Sequence, residues 1–304
     1  MNKKVLIVGL SLLAGHHHAH AVLTLQSFSA DKHHRFDNDP AFIGNPHDWS
    51  GVARANTSGR WVTMISSTHF ITSNHAAPGI GNTVIFHEDN DPSGTTVSRT
   101  VTSRTRIGGT DLVIGQLNAT PGPTIAIYSI ASNTTNEASF TSSPWNNREA
   151  FVVGLNNTGS GTTQFRVGRN ELDGFGDDVE VTAIATVSGS LTGIGDAIAF
   201  DDDRGTGDSL GSDEAYLQGG DSGGPLFSIA DSGEFTLTGI NWFITTEESP
   251  NLSGATFLPN YISEIQSILD AEGGGETLSL VSIPEPSSLA LLSVSGLLLV
   301  RRRR

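Results

Sequence analysis

Ser222 lies in a segment with the composition of a nucleophile turn. Residues 218–226 read QGGDSGGPL, with glycines at 220 and 223 close to the serine. A serine hydroxyl is a weak nucleophile, so a hydrolase exposes it on a tight turn and points backbone N–H groups at the developing oxyanion. Glycine permits such a turn because it has no Cβ. A chance turn in a glycine-rich chain is the alternative, and the presence of Asp221 and Pro225 disfavours it.

The hexapeptide GDSGGP at residues 220–225 resembles the nucleophile motif of the chymotrypsin and trypsin family of serine proteases. The resemblance implies that Ser222 attacks the scissile carbonyl group. It also implies that the N–H groups of Gly220 and Ser222 form the oxyanion hole. The family's chemistry runs through an acyl-enzyme and requires no cofactor.

Two histidines compete for the role of general base. Residues 65–77, ISSTHFITSNHAA, resemble the strand, turn and strand that lead to the family's catalytic histidine, which implies that His75 is that residue. An imidazole titrates near neutral pH, as proton transfer requires. His69 lies in the same hairpin, in the turn or the following strand, and this position favours a structural or exposed residue.

The third member of the site is a carboxylate that orients the imidazole. Residues 108–117, GGTDLVIGQL, resemble the family pattern of an aspartate that opens an apolar strand, which implies that Asp111 has this role. An ordinary strand-capping aspartate is the alternative. The chain order His75, Asp111, Ser222 is that of chymotrypsin, whereas subtilisins and α/β-hydrolases use other orders.

The resemblance also places a substrate pocket. In the family the pocket floor is the residue six positions before the nucleophile, which is Tyr216 here. Residues 238–242 resemble the strand that lines the pocket, which implies that Trp242 is a pocket residue. Phe243 follows where relatives often have glycine, and its ring narrows the pocket mouth. Because Tyr216 supplies no negative charge, we expect small or apolar P1 residues and not Lys or Arg.

The family's usual route of activation has no clear counterpart here. In relatives a new N-terminus, Ile-Val-Gly-Gly, pairs its amine with the aspartate before the nucleophile, which corresponds to Asp221. The nearest similar stretch is FIGN at residues 42–45, preceded by Ala41 and by no basic activating site. We therefore expect an internal donor such as an arginine to neutralise Asp221, so that the chain folds active.

Short runs of β-branched or alternating apolar residues recur between clusters of Gly, Asn, Asp and Pro. Many short strands with turn residues between them are typical of β-sandwiches and barrels. With the family resemblance, this predicts an all-β fold of two six-stranded antiparallel Greek-key β-barrels and a C-terminal helix. The predicted strands are residues 61–66, 69–73, 82–87, 95–107, 111–117, 149–154, 163–167, 179–187, 225–229 and 235–243.

We predict one trypsin-like domain over residues 42–271. Its first barrel spans about 42–118 and its second about 148–258, joined by a looser linker at about 119–147 that carries prolines and Ser/Thr/Asn clusters. A closing helix at about 259–271 presents apolar side chains on one face and ends before a run of glycines. These apolar positions are Ile262, Ile265, Ile268 and Leu269.

The composition of the chain argues against nucleic acid as a partner and excludes disulfide bonds. The formal net charge is −15, and six of the 17 basic residues lie in the first four and last four positions, so that Lys32 is the one lysine of the body. A phosphate backbone needs a basic patch, so nucleic acid is not an expected partner. The chain has no cysteine. Its fold therefore depends on an apolar core and not on disulfides.

Acidic runs at residues 173–178 and 201–203, with Asp89 and Asp91, carry the hard oxygen ligands that Ca²⁺ prefers. They match no EF-hand or nonapeptide spacing. Solvated loops are the favoured interpretation, and no metal site is predicted.

Both ends resemble targeting segments. Residues 1–21 combine Lys3 and Lys4, an apolar run and a small-x-small site ending at Ala21, which predicts a signal peptide. Residues 284–304 carry Pro-Glu-Pro, a short apolar run and four arginines, and resemble the PEP-CTERM sorting signal. That resemblance implies a transient membrane anchor removed by an exosortase-type transpeptidase; a single-pass tail anchor is the alternative. Residues 272–283 are predicted to be a flexible stem.

Together these features predict a secreted serine endopeptidase that crosses the inner membrane and reaches the cell envelope or the exterior after C-terminal processing. Its substrate is a protein or peptide. Two alternatives remain: an inactive envelope or matrix binding protein on the same fold, and a serine esterase.

Overall fold

The computed structural model describes residues 22–157, 161–185, 189–203, 206, 208–245, 252–272 and 274–283. The predicted signal peptide and sorting segment lie outside these residues. Within the described ranges, no helix combines the length and the apolar character that crossing a membrane requires.

Strands are the main regular structure in the described part of the chain, and they range from two to 13 residues in length. In chain order the strands are β1 (Thr24–Leu25), β2 (Val52–Ala55), β3 (Trp61–Met64), β4 (His69–Ser73), β5 (Thr83–His87), β6 (Thr96–Arg106), β7 (Leu112–Leu117), β8 (Ile130–Ala131), β9 (Glu149–Gly154), β10 (Arg166–Glu171), β11 (Gly174–Ala185), β12 (Gly189–Asp201), β13 (Ala215–Tyr216), β14 (Pro225–Ile229), β15 (Phe235–Ile244), β16 (Leu252–Phe257) and β17 (Leu280–Val281). The α-helices are α1 (Ala30–His33) and α2 (Ile262–Ala271), and 3-10 turns lie at Arg35–Asp37, Phe140–Ser142, Gly211–Asp213 and Leu258–Tyr261.

The first lobe is a closed six-stranded barrel in the order β2-β3-β4-β7-β6-β5. All its neighbouring strands are antiparallel. Every residue of β2, β3 and β4 is buried, because these strands face both the barrel interior and the second lobe. Gly115 of β7 has no room for a Cβ, since the ring of Phe70 lies against it. The predicted barrel is confirmed here.

The second lobe is a larger sheet than the predicted six-stranded barrel. Its hydrogen-bonded path in the described residues runs β10-β9-β14-β15-β16-β12-β11, with antiparallel neighbours. Two short strands extend it in parallel, β8 beside β15 and β17 beside β8. These strands come from the linker and from the segment after α2, where two-residue strands leave no periodic pattern in the sequence. The all-β class and the C-terminal helix are as predicted.

One apolar cluster joins the two lobes and the helix. It includes Trp49 before the first barrel, Ile71 of β4, Phe227 of β14, and Ile265 and Leu269 of α2, each 1% exposed or less. Burying a large apolar side chain contributes about 1.5–3 kcal/mol, so these residues hold the lobes in a fixed relation. The two lobes and the helix therefore share one core.

The segment after α2 is packed onto the body, in contrast to the flexible stem predicted for residues 272–283. Leu280 and Val281 pair with β8, and Ile283 is fully buried. Two glutamates complete the attachment. Glu272 Oε2 lies 2.6 Å from His69 Nε2, and Glu276 Oε2 lies 2.7 Å from His69 Nδ1. The side chain of His69 is 1% exposed, so this histidine has a structural role and clamps the C-terminal segment to the first barrel.

The Glu276 carboxylate makes this clamp sensitive to acid. Burial alone raises its pKa, but hydrogen bonds from Ser66, Ser67 and His69 outweigh burial and lower the pKa to about 2. A carboxyl group with a lowered folded-state pKa adds stability above its ordinary pKa of 4.5, and this contribution disappears as the pH falls towards 2.

The variant Glu276→Gln should therefore lose less stability than the wild type between pH 5 and pH 2. Urea unfolding at several pH values measures the free energy of unfolding. Glu264→Gln, an exposed position on the neighbouring helix, is the matched control and should follow the wild type. Equal pH dependence in Glu276→Gln and the wild type would show that the clamp adds no stability.

Candidate active site

His75 and Asp111 form a hydrogen-bonded pair. His75 Nδ1 lies 2.6 Å from Asp111 Oδ2, and the backbone N–H of His75 donates to Asp111 Oδ1 at 3.0 Å. The aspartate side chain is 4% exposed and that of the histidine 17%. One carboxylate therefore fixes both the ring and the main chain of His75, and it leaves Nε2 as the ring nitrogen available for proton transfer.

Two paired strands of the first barrel bring these residues together. β4 and β7 are antiparallel neighbours, with Ser73 opposite Leu112, so His75 and Asp111 lie just beyond adjacent strand ends. The N–H of Asn74 donates to Asp111 O at 2.7 Å and extends this pairing. The Thr110 hydroxyl donates to Ile107 O and accepts the N–H of Leu112, which fixes the turn that carries the aspartate.

Ser222 is half-buried in the turn that leads into β14. Gly220 and Gly223 have φ values of +109° and +86°, a backbone conformation that side-chain-bearing residues rarely adopt. The glycines of the motif are therefore required by the turn itself. A Cβ on Gly223 would lie 2.6 Å from Thr72 Oγ1 and 3.2 Å from Ser73 Oγ, so the turn packs against the end of β4, the strand that leads to His75.

In the described residues, free backbone N–H groups flank Asp221 in this turn. The N–H groups of Asp221, Gly223 and Gly224 donate to backbone oxygens. Among the described residues, the N–H groups of Gly220 and Ser222 donate to no protein acceptor. Unpaired N–H groups on both sides of Asp221 are suited to stabilising a negative oxygen next to Ser222.

Asp221 is fully buried and its carboxylate fixes the turn from inside. Oδ1 accepts the N–H of Leu155 at 2.7 Å, and Oδ2 accepts that of Gln218 at 2.8 Å. Burial raises the pKa of Asp221 to about 7, while these hydrogen bonds and the charges of Arg166 and Arg54 act in the opposite direction. The expected internal donors thus exist, but the direct ones are backbone N–H groups and the arginines act through their charge. Asp221 and Leu23 both lie against Gly154 and leave it no room for a Cβ.

The expected pocket residues lie on β13 and β15. Trp242 and Phe243 are 4% and 8% exposed, with ring centroids 5.3 Å apart, and they pack with Val181 and Ala197. The Phe243 ring covers Gly254 of β16. Tyr216 is half-buried and pairs with Thr24 of β1.

Several positioning residues have no signature in the sequence. Gly193 of β12 passes so close that a Cβ would lie 3.0 Å from Asp111 Cβ and 3.1 Å from Trp242 Cζ2. Arg106 donates to the backbone oxygens of Thr110, Gly109 and Thr192, which ties the Asp111 turn to β12. Asn241 Nδ2 donates to Val153 O and Asp221 O. The contacts of Arg106 with Thr192 and of Asn241 with Val153 join positions more than 80 residues apart, so local motifs do not reveal them.

Comparison with known proteins found similarity in structure, and none with the family models or the curated proteins. No protein-family model matches the chain, and no curated protein matches it. A solved structure with a similar fold is the Rv3671c protease from M. tuberculosis in its active form, at 16% identity and a TM-score of 0.48. The similarity covers 80% of this chain and 90% of that chain. The likeness is one of overall fold at low sequence identity.

Proposed function

We propose that this protein is a serine endopeptidase that hydrolyses peptide bonds through an acyl-enzyme. The observation that carries the proposal is the pairing of His75 Nδ1 with Asp111 Oδ2 at 2.6 Å, next to a glycine turn that presents Ser222 and packs on the same strand end. A histidine oriented by a carboxylate can accept and return a proton, and a serine beside it can become a nucleophile.

Each residue then has a defined role. His75 takes the proton of the Ser222 hydroxyl through Nε2 as the serine oxygen attacks the scissile carbonyl carbon. Asp111 holds the imidazole in the tautomer with Nδ1–H and stabilises its positive charge. His75 next protonates the leaving amine, and the C–N bond breaks to give an ester on Ser222. Water, deprotonated by His75, hydrolyses this ester and frees the serine.

The N–H groups of Gly220 and Ser222 stabilise the tetrahedral intermediates. Their partners are absent in the described residues, so they can donate to the oxyanion without breaking other bonds. One donor of this kind lowers the activation barrier by about 2.7–4 kcal/mol. Asp221 holds the turn from inside, because its carboxylate accepts the N–H groups of Leu155 and Gln218.

We further propose that the enzyme works outside the cytoplasm. Residues 1–21 would direct export, and residues 284–304 would hold the chain at the membrane until an exosortase-type transpeptidase removes them. The absence of cysteine and the packed C-terminal segment are compatible with a body that is stable without disulfides.

Hydrolysis of unfolded casein by the purified protein tests the proposed reaction. Casein cleavage supports an endopeptidase, and ester turnover by the same enzyme is compatible with it. Ester turnover without any peptide cleavage indicates an esterase. A folded protein that cleaves neither substrate is a binding protein on this fold.

Substrate preference provides a separate prediction. Phe243 closes over Gly254, and Tyr216 has no negative charge, so a peptide library should show cleavage after small or apolar P1 residues. Phe243→Gly should shift kcat/KM at least tenfold towards larger P1 side chains, because a methylene group in an apolar pocket changes discrimination by about 1–3 kcal/mol. Efficient wild-type cleavage after Arg would contradict this pocket assignment.

A further inference from the structure

Asn241 is a fully buried residue of β15 whose carboxamide lies between β9 and the Ser222 turn. Its Nδ2 donates to Val153 O of β9 at 2.7 Å and to Asp221 O at 3.3 Å. A carboxamide nitrogen carries two hydrogens, so both are used. Because both acceptors are carbonyl oxygens, the nitrogen and not the oxygen of the carboxamide must face them.

The main chain of Asn241 contacts the same turn. Its carbonyl oxygen accepts the N–H of Gly223 at 2.9 Å, and its N–H donates to Gly224 O at 2.8 Å. With Nδ2 on Asp221 O, Asn241 therefore contacts three of the four residues 221–224. These bonds engage the polar groups on both sides of Ser222, while the Ser222 N–H donates to no acceptor within the described ranges.

The direction of the Ser222 N–H follows from the Asp221 carbonyl group, because both belong to one peptide unit. A peptide unit is planar, and in its trans form the C=O and N–H bonds point in opposite directions. The Asp221–Ser222 unit is trans. A donor that holds Asp221 O on one side of the turn therefore directs the Ser222 N–H to the other side.

Gly224 leaves the space that the carboxamide occupies. A Cβ on Gly224 would lie 2.7 Å from Val153 O, 3.0 Å from Asn241 Nδ2 and 3.0 Å from Asp221 O. The φ of Gly224 is outside the left-handed region, so space and not conformation requires this glycine. Its N–H is a second donor to Asp221 O, at 3.0 Å. The asparagine and the glycine thus hold the same carbonyl oxygen.

The other end of the carboxamide gains no hydrogen bond from its position. Asn241 is 0% exposed, and Oδ1 has no hydrogen-bond partner in the part of the chain that the structure describes. A buried polar atom without a partner destabilises the folded state. Packing alone would favour an apolar side chain here, so the contacts of Nδ2 are what an asparagine adds.

We propose that Asn241 is a positioning residue of the oxyanion hole. Its carboxamide holds the Asp221 carbonyl oxygen on the buried side of the turn, so that the Ser222 N–H points to the oxyanion of the tetrahedral intermediate. The inference rests on the proposed function and extends the site by a residue that does not touch the substrate. Because the Gly224 N–H also holds Asp221 O, loss of the carboxamide should weaken the hole without abolishing it.

Steady-state kinetics of Asn241→Ala on a peptide substrate tests this role. Losing one oxyanion donor outright lowers kcat by about 10²–10³-fold, so a misdirected donor should lower kcat at least tenfold. KM should change little, because the hole acts on the transition state and not on the bound substrate. Asn241→Leu, which fills the space of the carboxamide, gives the same test if the alanine variant does not fold.

Asn170→Ala is the matched control. Asn170 is also 0% exposed, its Nδ2 donates to Asp201 O at 2.7 Å and to Ala215 O at 2.8 Å, and its Oδ1 likewise lacks a partner among the described residues. The control therefore removes the same kind of buried carboxamide at a distance in the chain from the Ser222 turn. It should lower the free energy of unfolding in urea to a similar extent and keep the wild-type kcat.

A peptide trifluoromethyl ketone provides a readout that a purely structural role would not change. Ser222 Oγ adds to its carbonyl carbon, the hydroxyl proton passes to His75, and the ketone oxygen becomes an oxyanion in the hole. We expect its Ki to increase in Asn241→Ala by about the factor by which kcat decreases, and to keep the wild-type value in Asn170→Ala.

The possible failures of the two proposals are distinguishable. An active wild type with equal kcat and equal Ki in the two alanine variants would overturn the role of Asn241 and leave the proposed function standing. A folded wild type that neither cleaves peptides nor binds the ketone would overturn both.

Discussion

If the proposed function is right, replacing Ser222 with alanine is expected to lower kcat for peptide hydrolysis by about 10⁶-fold, close to the contribution of a complete catalytic triad. The substitution removes the nucleophilic oxygen and leaves the backbone of the turn in place, because Gly220 and Gly223 carry its unusual φ values. KM should change little, since the hydroxyl contributes little to ground-state binding. Steady-state kinetics on a peptide substrate measures both parameters.

Ser232→Ala is the matched control for that experiment. Ser232 is exposed in the turn between β14 and β15, so its loss should leave kcat unchanged. A Ser222→Ala protein that keeps more than a tenth of wild-type peptidase activity would place the nucleophile elsewhere.

The second large effect is expected for Asp111→Asn, with a decrease in kcat of roughly 10⁴-fold near neutral pH. An amide at this position presents N–H where Oδ2 now accepts from His75 Nδ1, so the imidazole is held in the wrong tautomer. Thermal unfolding should still show a folded protein, because the Oδ1 contact with the His75 N–H can be kept. The rate measured from pH 6 to pH 10 reports the change in the general base.

The control for Asp111→Asn is Asp231→Asn, which removes a partly exposed carboxylate that lies 3.6 Å from Arg148. It should retain the wild-type rate and pH profile. A decrease of less than tenfold in Asp111→Asn, with the wild-type pH profile preserved, would mean that the carboxylate does not orient the histidine.

The sequence predicts those parts of the candidate site whose residues are close together in the chain. The turn around Ser222 needs glycine at 220 and 223, and the structure gives both a positive φ. His75 and Asp111 follow and precede buried strands that pair with each other, so two local patterns end at one place. The sequence also predicts the apolar face of α2, because Ile265 and Leu269 repeat at helical spacing. Both side chains are fully buried in the structure.

The rest depends on contacts between distant parts of the chain. The docking of residues 274–283 rests on His69 with Glu272 and Glu276, about 200 positions apart in the chain, and no local pattern indicates it. Asp221 is held by backbone N–H groups, which every residue type except proline offers. The carboxylates of Asp173 and Asp201 lie close together through the pairing of β11 with β12. The spacing of these aspartates in the sequence does not indicate this proximity.

Mapping of a fluorophosphonate adduct by mass spectrometry tests the central claim most directly, because the reagent reacts with an activated serine and not with an ordinary one. The account predicts one adduct per chain, on Ser222, with labelling lost in Ser222→Ala and strongly slowed in His75→Ala. A folded wild-type protein that stays unlabelled, or that carries its adduct on another serine, would contradict it.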